Sequence, residues 1–318
     1  MEFIVKKTNE LTGAERQGML ALFNAIFEKD RPVTYFNNQF SNNPLGYSFH
    51  AMIVDAGQIV GSNSYIPAYY LVNGKRVLFV NSVDTMVSKP YRDFVNLYDM
   101  VTTAHDYMQK EGVAGVYGFP NDSSYFVYIK SKLMHDIGSL TTYCLPYRIG
   151  GIKPGLKALN WLSIFFVRLY VFLVSIIAGN TIYRFPIEKE AETYNATRYK
   201  RLDAQYRKIT YKGSEFVYKI MEHEGIKSAF LIDVFEKSAA NFNKAVQYII
   251  KNHGKEFDIL LYAGYLPFKL HGLIKVPQKL IPKNFHFTGE ILRKDKIDSE
   301  LFFTLASWDV NLSNYDLL

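Results

Sequence analysis

Residues 77–125 carry the pattern that decides the fold, VLFVNSVDTMVSKPYRDFVNLYDMVTTAHDYMQKEGVAGVYGFPNDSSY. The run from Val77 to Val87 has apolar residues at both parities, which predicts a central strand covered on both faces. After Pro90, apolar residues recur at three- and four-residue steps from Phe94 to Met108 and predict a helix. A second apolar strand is expected from Val113 to Phe119.

Turn and helix-capping residues follow this second strand. The residues from Pro120 to Ser124 are typical of a turn and an N-cap, and they predict a second helix from Tyr125 to Met134. Strand, helix, strand and helix in this order form a βαβ unit with a right-handed crossover. Its first helix begins at a strand end, where backbone N–H groups can hold an anion, so this is the geometry of a ligand site.

The stretch resembles the central motif of the GNAT acetyltransferase superfamily, in which a long strand leads into a loop that binds the pyrophosphate of acetyl-CoA. The match runs through Thr85-Met86-Val87-Ser88-Lys89-Pro90-Tyr91-Arg92. Where relatives have a Gly-x-Gly turn, this chain has Asp93-Phe94-Val95. Glycine lets the backbone approach a phosphate closely, and the charge of Asp93 repels one. The resemblance therefore supports the fold more strongly than it supports acetyl-CoA binding.

The residues before this stretch follow the GNAT order of a strand, two helices and a three-strand meander. Asn73-Gly74 predicts a type I′ hairpin into the central strand. The aromatic second helix, from Val33 to Phe40, leads into Asn42-Asn43-Pro44-Leu45-Gly46. This combination also resembles a branch of the superfamily found with bacterial surface-polysaccharide genes. The resemblance implies a mixed α/β (α+β) GNAT-like fold with a second, smaller GNAT-like half.

Three segments are expected along the chain. They are a GNAT-like acyl-CoA-binding domain over residues 1–150, an apolar helical connector over 151–187 and a second, reduced GNAT-like domain over 188–318. In the last segment the pattern predicts a helix from Ala239 to Lys251. It predicts strands at Glu215–Glu222, Lys227–Val234, Ile259–Ala263 and Phe302–Ala306.

The connector contains Trp161 to Ala178, which is almost wholly apolar and long enough to cross a bilayer. Asn160, Arg168 and Ser175 form a narrow polar stripe on a helical wheel. The stripe favours a helix buried in protein or in a domain interface first, a helix in peripheral contact with a membrane second, and a spanning helix last.

Composition limits the remaining functions. The 318 residues carry a formal net charge of +7, which favours anionic partners. A run of basic residues and tyrosines from Arg198 to Lys212 has no RNA-recognition or helix-turn-helix signature, so nucleic acid is an unlikely partner. The single Cys144 and seven scattered histidines make a disulfide framework or a metal site unlikely. With no secretory signal visible, we expect a cytoplasmic protein. The resemblance implies a bacterial one.

The candidate catalytic residues are Asp84 and Tyr125. A carboxylate in an apolar strand needs a partner, so Asp84 is either a general base or a structural capping group. The resemblance places CoA-contacting and acid residues after the second strand, where Asn121 and Tyr125 stand, and Tyr128 competes with Tyr125 for the acid role. The residues that would bind the cofactor are Met86, Val87, Arg92, Asp93, Phe94, Val95, Asn96, Asn121 and Tyr128.

Two functions follow from different classes. The first is an acyltransferase that moves an acetyl or acyl group from acyl-CoA to an amino group, such as that of a sugar or a surface-polysaccharide precursor. The second is a catalytically silent GNAT-fold module that binds a membrane surface or a partner protein. The Asp93-Phe94-Val95 replacement favours the second. Because backbone N–H groups do most of the phosphate binding, the first is preferred.

Overall fold

The computed structural model describes residues 1–200, 204–269, 271–281 and 284–315, and these form a mixed α/β fold. The strands are β1 (Glu2–Lys7), β2 (Phe49–Asp55), β3 (Gln58–Val72), β4 (Lys75–Val87), β5 (Gly115–Gly118), β6 (His135–Ser139), β7 (Thr141–Pro146), β8 (Ile187–Lys189), β9 (Arg207–Tyr211), β10 (Ser214–His223), β11 (Ile226–Val234), β12 (Ile259–Gly264), β13 (Ile274–Lys275) and β14 (His286–Ile291).

The helices of the same described residues range from one turn to five turns. They are α1 (Gly13–Phe27), α2 (Val33–Ser41), α3 (Phe94–Lys110), α4 (Asp122–Ser131), α5 (Ile149–Ile152), α6 (Asn160–Ile177), α7 (Ala191–Ala196), α8 (Ala239–His253) and α9 (Ser299–Phe302). Local chemistry sets several of their ends. Thr12 and Glu15 form a capping box at α1, and the Asp93 carboxylate caps α3.

The chain divides into two compact units. Unit 1 contains residues 1–139, 186–203 and 285–308, and unit 2 contains residues 140–185, 204–284 and 309–318. Both units are therefore assembled from separate segments of the sequence.

Unit 1 is built on an eight-stranded sheet in the order β1-β2-β3-β4-β5-β14-β6, with β8 paired to β3. The predicted Asn73-Gly74 hairpin joins β3 to β4, and both residues have positive φ, 48° and 78°, as a type I′ turn requires. β4 and β5 are parallel and α3 connects them, which confirms the predicted βαβ unit. Met100, Val101, Ala104 and Met108 of α3 pack into the core on β4 and its neighbours.

Unit 2 is built on a six-stranded sheet in the order β13-β7-β12-β11-β10-β9. β11 and β12 are parallel, and α8 connects them, as α3 connects β4 to β5. Phe242, Ala245, Val246 and Ile249 of α8 are buried against this sheet. The expected second, smaller GNAT-like half is therefore present.

The units do not follow the expected boundaries at residues 150 and 188. β14 lies late in the sequence but pairs with β5 and β6 in unit 1, and β7 lies before residue 150 but pairs with β12 in unit 2. Each unit thus takes one internal strand from the other half of the sequence. Residues 151–185 are part of unit 2 instead of a separate connector, because α6 packs on the core of that unit.

Some local expectations were also wrong. Phe302–Ala306 is not a strand: Asp298 caps the short helix α9, and a 3-10 turn at Leu305–Ser307 follows it. The basic run from Arg198 to Lys212 contains the strand β9, and its residues 201–203 lie outside the described residues. α4 spans Asp122–Ser131 instead of Tyr125–Met134, because the Asn121 side chain caps it three residues earlier than expected.

The helix α6 confirms the predicted helix over the apolar run, but its outer face is not buried. Ile164, Val167 and Val171 pack on the unit 2 core, whereas the large apolar side chains on the other side are exposed. The polar stripe is partly turned towards protein: Asn160 accepts a hydrogen bond from the Gly150 backbone, and Arg168 donates one to the Tyr147 hydroxyl. The preferred interpretation as a buried helix is therefore wrong for the outer face.

Candidate active site

The parallel pairing of β4 and β5 ends inside the sheet of unit 1. The last registered pair is Ser82 with Gly118, where β5 ends, while β4 continues to Val87 alongside β3. The five residues of β4 beyond Ser82 consequently have no β5 partner on that side. Backbone groups exposed between two diverging strands can pair with an extended ligand as a further strand would.

A β-bulge at Asp84 distorts β4 beyond the end of its pairing with β5. Ser64 of β3 pairs with Val83 and Ser62 pairs with Met86, so β4 has one extra residue across this interval. Asp84 has a φ of 51°, in the left-handed region that aspartate tolerates better than most residues. A bulge of this kind re-aims the neighbouring side chains and is frequent beside active sites.

The Asp84 carboxylate faces helices α1 and α2. Arg31 Nη1 lies 3.8 Å from Asp84 Oδ2, and Gln39 Nε2 donates to the same oxygen at 3.4 Å. The Arg31 guanidinium is itself stacked on the rings of Phe23 and Tyr35, each 4.0 Å from the ring centre. These residues line a cavity of about 20 Å³, which is room for about one water molecule. Asp84 is thus a nearly buried carboxylate held beside a fixed cation.

A buried polar network surrounds the point where β4 and β5 separate. Asn63 Oδ1 accepts from the Ser82 and Thr85 hydroxyls at 3.2 and 3.0 Å, and Asn63 Nδ2 donates to the Tyr65 hydroxyl at 2.8 Å. The Tyr128 hydroxyl lies 3.0 Å from that of Thr85. Because Thr85 donates its single proton to Asn63, Tyr128 is the donor to Thr85. The network ties α4 to the bulge one residue from Asp84.

The two candidate acids have different surroundings. Burial raises the pKa of Tyr128, and hydrogen bonds with Thr85 and Ser82 offset part of that rise. The Tyr125 ring stacks on His286 with ring centres 3.9 Å apart. Burial raises the pKa of Tyr125 as well, and the neighbouring carboxylate of Asp136 raises it further. Of the two phenols, Tyr128 is the one that the hydrogen bonds join to the bulge.

The N-terminus of α3 is capped by its own chain. The Asp93 carboxylate accepts from the Asn96 backbone N–H at 2.8 Å and from Asn96 Nδ2 at 2.6 Å. The Arg92 guanidinium turns back and donates to the Val87 carbonyl at 3.0 and 3.2 Å. Phe94 and Val95 are exposed, and as the first two helical residues their N–H groups have no carbonyl within the helix. One donor of this helix end is therefore capped by an anionic side chain.

The other residues predicted to contact the cofactor lie either in the core of unit 1 or at a helix cap. Met86 and Val87 are buried at the end of β4, so only their backbone can face a ligand. Asn121 accepts from the Ser124 backbone N–H at 2.9 Å and from the Ser123 hydroxyl at 2.8 Å, and is the N-cap of α4. The structure thus brings Asp84, Met86 and Tyr128 to the bulged end of β4.

Sequence reasoning missed Arg31, Asn63 and Tyr65. The signal for Asn63 was available, since Ser62-Asn63-Ser64 interrupts an otherwise apolar strand, and buried polar groups need partners. Arg31 has no comparable signal, because it precedes α2 and reaches Asp84 only through tertiary packing.

Comparison with known proteins agrees with this geometry. Residues 7–131 match the family model described as an acetyltransferase (GNAT) domain, which covers α1 to α4 and the βαβ unit. No curated protein shows significant sequence similarity to the chain.

Solved structures resemble most of the chain at low identity. A protein of unknown function from Enterococcus faecalis V583, described as a "Probable N-Acyltransferase", aligns with a TM-score of 0.58 and 12% identity over 92% of this chain and 73% of that one. A GCN5-related N-acetyltransferase from Anabaena variabilis aligns with a TM-score of 0.57 and 12% identity over 91% and 73%. Eis1 from Mycobacterium abscessus aligns with a TM-score of 0.55 and 9% identity over 95% and 76%. The chain therefore has a GNAT N-acetyltransferase-like fold.

Proposed function

We propose that the protein is an acyltransferase that moves an acetyl group from acetyl-CoA to an amino group. The observation that carries this proposal is the bulge at Asp84, where a nearly buried carboxylate lies beside the end of the β4–β5 pairing. A strained backbone residue with a carboxylate facing a cavity is a feature that functional sites retain.

The residues present fit a thioester substrate in two respects. On the side where β5 has ended, the backbone of β4 beyond Ser82 can hydrogen-bond to an extended pantetheine arm, and the Phe94 and Val95 N–H groups can hold phosphate oxygens. Acetyl-CoA supplies the activated acyl group when it is bound. The Asp93 carboxylate opposes phosphate binding, and the Arg92 guanidinium next to it compensates part of that charge.

Asp84 acts as the general base in this proposal. Its carboxylate takes a proton from the attacking amine, directly or through one water molecule in the adjoining cavity. Arg31 and Gln39 hold the carboxylate in place, and Arg31 keeps a positive charge beside it throughout.

The general acid is a tyrosine of α4 that protonates the departing thiolate. The sequence alone favours Tyr125, but Tyr128 is the tyrosine whose hydroxyl lies at the bulge, 3.0 Å from that of Thr85. To act as the acid, Tyr128 turns the proton that it donates to Thr85 towards the thiolate. The Tyr128 phenol is protonated at neutral pH, as an acid requires, because the ordinary pKa of tyrosine is about 10 and burial raises it. Tyr125 and Asn121 then border the site from the exposed end of α4.

For the acceptor, we propose an amino sugar or another amine of a surface-polysaccharide precursor, modified in a bacterial cytoplasm. The support is the sequence resemblance of α2 and the turn after it, together with the small cavity beside Asp84, which admits a compact group such as a primary amine.

The test begins with ligand binding. Acetyl-CoA and desulfo-CoA should both raise the melting temperature of the wild-type protein, since desulfo-CoA keeps every phosphate and the pantetheine arm. If neither stabilises the protein, the acyltransferase proposal is wrong.

The roles of Asp84, Tyr125 and Tyr128 are then tested by turnover of a panel of free and nucleotide-linked hexosamines, measured as CoA release. Asp84→Asn should lower kcat/KM by at least about 100-fold, the scale of one general base, while the Kd of acetyl-CoA changes less than about threefold. Asparagine also tolerates the left-handed backbone at this position. Tyr128→Phe should slow turnover more than Tyr125→Phe, and the reverse order would return the acid role to Tyr125.

A further inference from the structure

The outer face of α6 is a continuous exposed apolar surface. Trp161, Phe165, Leu169, Phe172 and Ile176 lie one above another along the helix, within less than a quarter of its circumference at 100° per residue. Trp161 is 68% exposed, Phe165 57%, Phe172 59% and Ile176 65%. We call these five side chains the α6 outer stripe. Single exposed apolar residues are ordinary, but a stripe of this length marks a binding surface.

The inner face of α6 is fixed to unit 2 along the whole helix. Asn160 accepts from the Gly150 N–H at 2.7 Å, Arg168 donates to the Tyr147 hydroxyl at 3.0 Å, and Asn243 of α8 donates to the Val171 carbonyl at 3.3 Å. Val171 and Val174 are buried. A helix that crossed a bilayer would lose these contacts, so α6 can meet a membrane only by lying along its surface.

The stretch of sequence that contains the stripe carries charges of one sign. The sequence has no aspartate or glutamate from Ile137 to Ile187, although it has Arg148, Lys153, Lys157, Arg168 and Arg184 in the same interval. Lys153 and Lys157 are exposed, and Lys157 lies one helical turn before Trp161. A protein partner of ordinary composition would not require this complete lack of acid. An anionic lipid surface would, because each nearby acidic residue would repel it.

We propose that the α6 outer stripe binds the surface of an anionic lipid bilayer. The apolar side chains enter the boundary between headgroups and acyl chains, Trp161 takes the interfacial position that tryptophan prefers, and Lys153 and Lys157 face the anionic headgroups. This binding does not depend on acetyl transfer, so either proposal can fail while the other holds.

The first test is sedimentation of the full chain with vesicles. The protein should bind vesicles of phosphatidylcholine with about 30% phosphatidylglycerol, and bind pure phosphatidylcholine vesicles several-fold more weakly. Lys153→Gln with Lys157→Gln should weaken binding to the anionic vesicles by about 30-fold, since each lysine near the surface contributes about fivefold.

The second test removes apolar side chains. Phe165→Ser with Phe172→Ser should lower the vesicle partition coefficient by at least about tenfold, because each ring leaves water on binding. Phe126→Ser is the matched control, since Phe126 is a 69% exposed phenylalanine on a helix of unit 1. It should bind vesicles as the wild type does.

Wild-type fluorescence gives a readout that needs no variant. The sequence has two tryptophans, Trp161 and Trp308, and Trp308 is fully buried. Brominated acyl chains should quench the Trp161 emission on vesicle addition. The proposal is wrong if wild type does not bind anionic vesicles, or if it binds without quenching of Trp161. It is also wrong if the wild type does not bind lipid but forms a concentration-dependent dimer that Phe165→Ser with Phe172→Ser abolishes. The stripe would then bind a second copy of the chain.

Discussion

The buried ion cluster of unit 2 allows a quantitative prediction. Lys237 Nζ lies 2.7 Å from Asp233 Oδ1 and 2.8 Å from Asp309 Oδ1, and all three side chains are nearly inaccessible to water. Burial lowers the pKa of Lys237, but the two carboxylates outweigh it and raise that pKa well above its usual value. At an effective dielectric constant of about 20, each contact supplies about 6 kcal/mol of attraction, which offsets the cost of burying the charges.

Lys237→Met keeps the volume of the side chain but leaves two carboxylates buried without their cation. Breaking a buried pair in this way costs about 3–5 kcal/mol of unfolding free energy. We expect a loss of about 4 kcal/mol at pH 7 in urea titrations followed by far-UV circular dichroism. Lys251→Met, at an exposed position of α8, the helix that begins two residues after Lys237, is the control and should change stability by less than about 0.5 kcal/mol.

The pH dependence of this stability loss tests whether the two carboxylates cause it. A lysine with a raised folded-state pKa contributes stability that is full below its unfolded value of about 10.4, so this group adds no pH dependence near neutrality in the wild type. In Lys237→Met the mutual repulsion raises the folded-state pKa values of the carboxylates. The deficit should therefore shrink as the pH falls from 7 towards 4. Lys237→Met with Asp309→Asn should recover about half of the loss, since Asp233 keeps its hydrogen bond from Asn311 Nδ2. A loss below about 1 kcal/mol that does not vary with pH would refute the reasoning.

Two further predictions concern unit 1. Asp93→Asn keeps the cap on Asn96 but removes the negative charge at the N-terminus of α3, so acetyl-CoA should bind about fivefold more tightly by calorimetry, and unchanged affinity would place the phosphates elsewhere. His50 is fully buried between the Thr8 and Ser64 hydroxyls, and burial lowers its pKa to about 3. Because the unfolded chain takes up this proton first, His50 should cost the wild type about 2 kcal/mol of stability between pH 7 and pH 5. We expect His50→Gln to show no such loss of unfolding free energy between pH 7 and pH 5 in urea titrations. An equal loss in the wild type and the variant would contradict this prediction.

The parts of the fold that the sequence predicts are those with strong local signals. Apolar periodicity located α3 and α8, and Asn73-Gly74 located the β3–β4 hairpin, since each pattern specifies its own backbone. The strand β14 was not predicted, because its sequence has no comparable local pattern. Its sequence includes Gly289 and Glu290, and its pairing with β5 and β6 defines it as a strand. A Cβ at Gly289 would lie 2.8 Å from the Phe302 ring and from the Val116 carbonyl. Tertiary packing therefore requires glycine at this position.

The candidate site was predictable to a similar degree. Asp84 was identifiable as a charge within an apolar strand, but the bulge that exposes its carboxylate to Arg31 depends on the register of β3 against β4. Sequence also could not separate Tyr125 from Tyr128, because both lie on α4 and only the hydrogen bond to Thr85 distinguishes them. Periodicity predicts which residues form a helix, whereas contacts between distant segments decide which of them meet.

The exchange of β7 and β14 between the two halves of the sequence has a consequence for synthesis of the chain. The sheet of unit 1 cannot be completed until residues 285–308 have left the ribosome, because β14 pairs with β5 and Trp308 fills the core beside Phe79. Until then β5 has an open edge, and open strand edges in nascent chains are sites of aggregation. A nascent protein shortened at residue 150 would keep that edge permanently. We therefore expect a chain shortened at residue 150 to aggregate or to bind chaperones more readily than the 318-residue chain does.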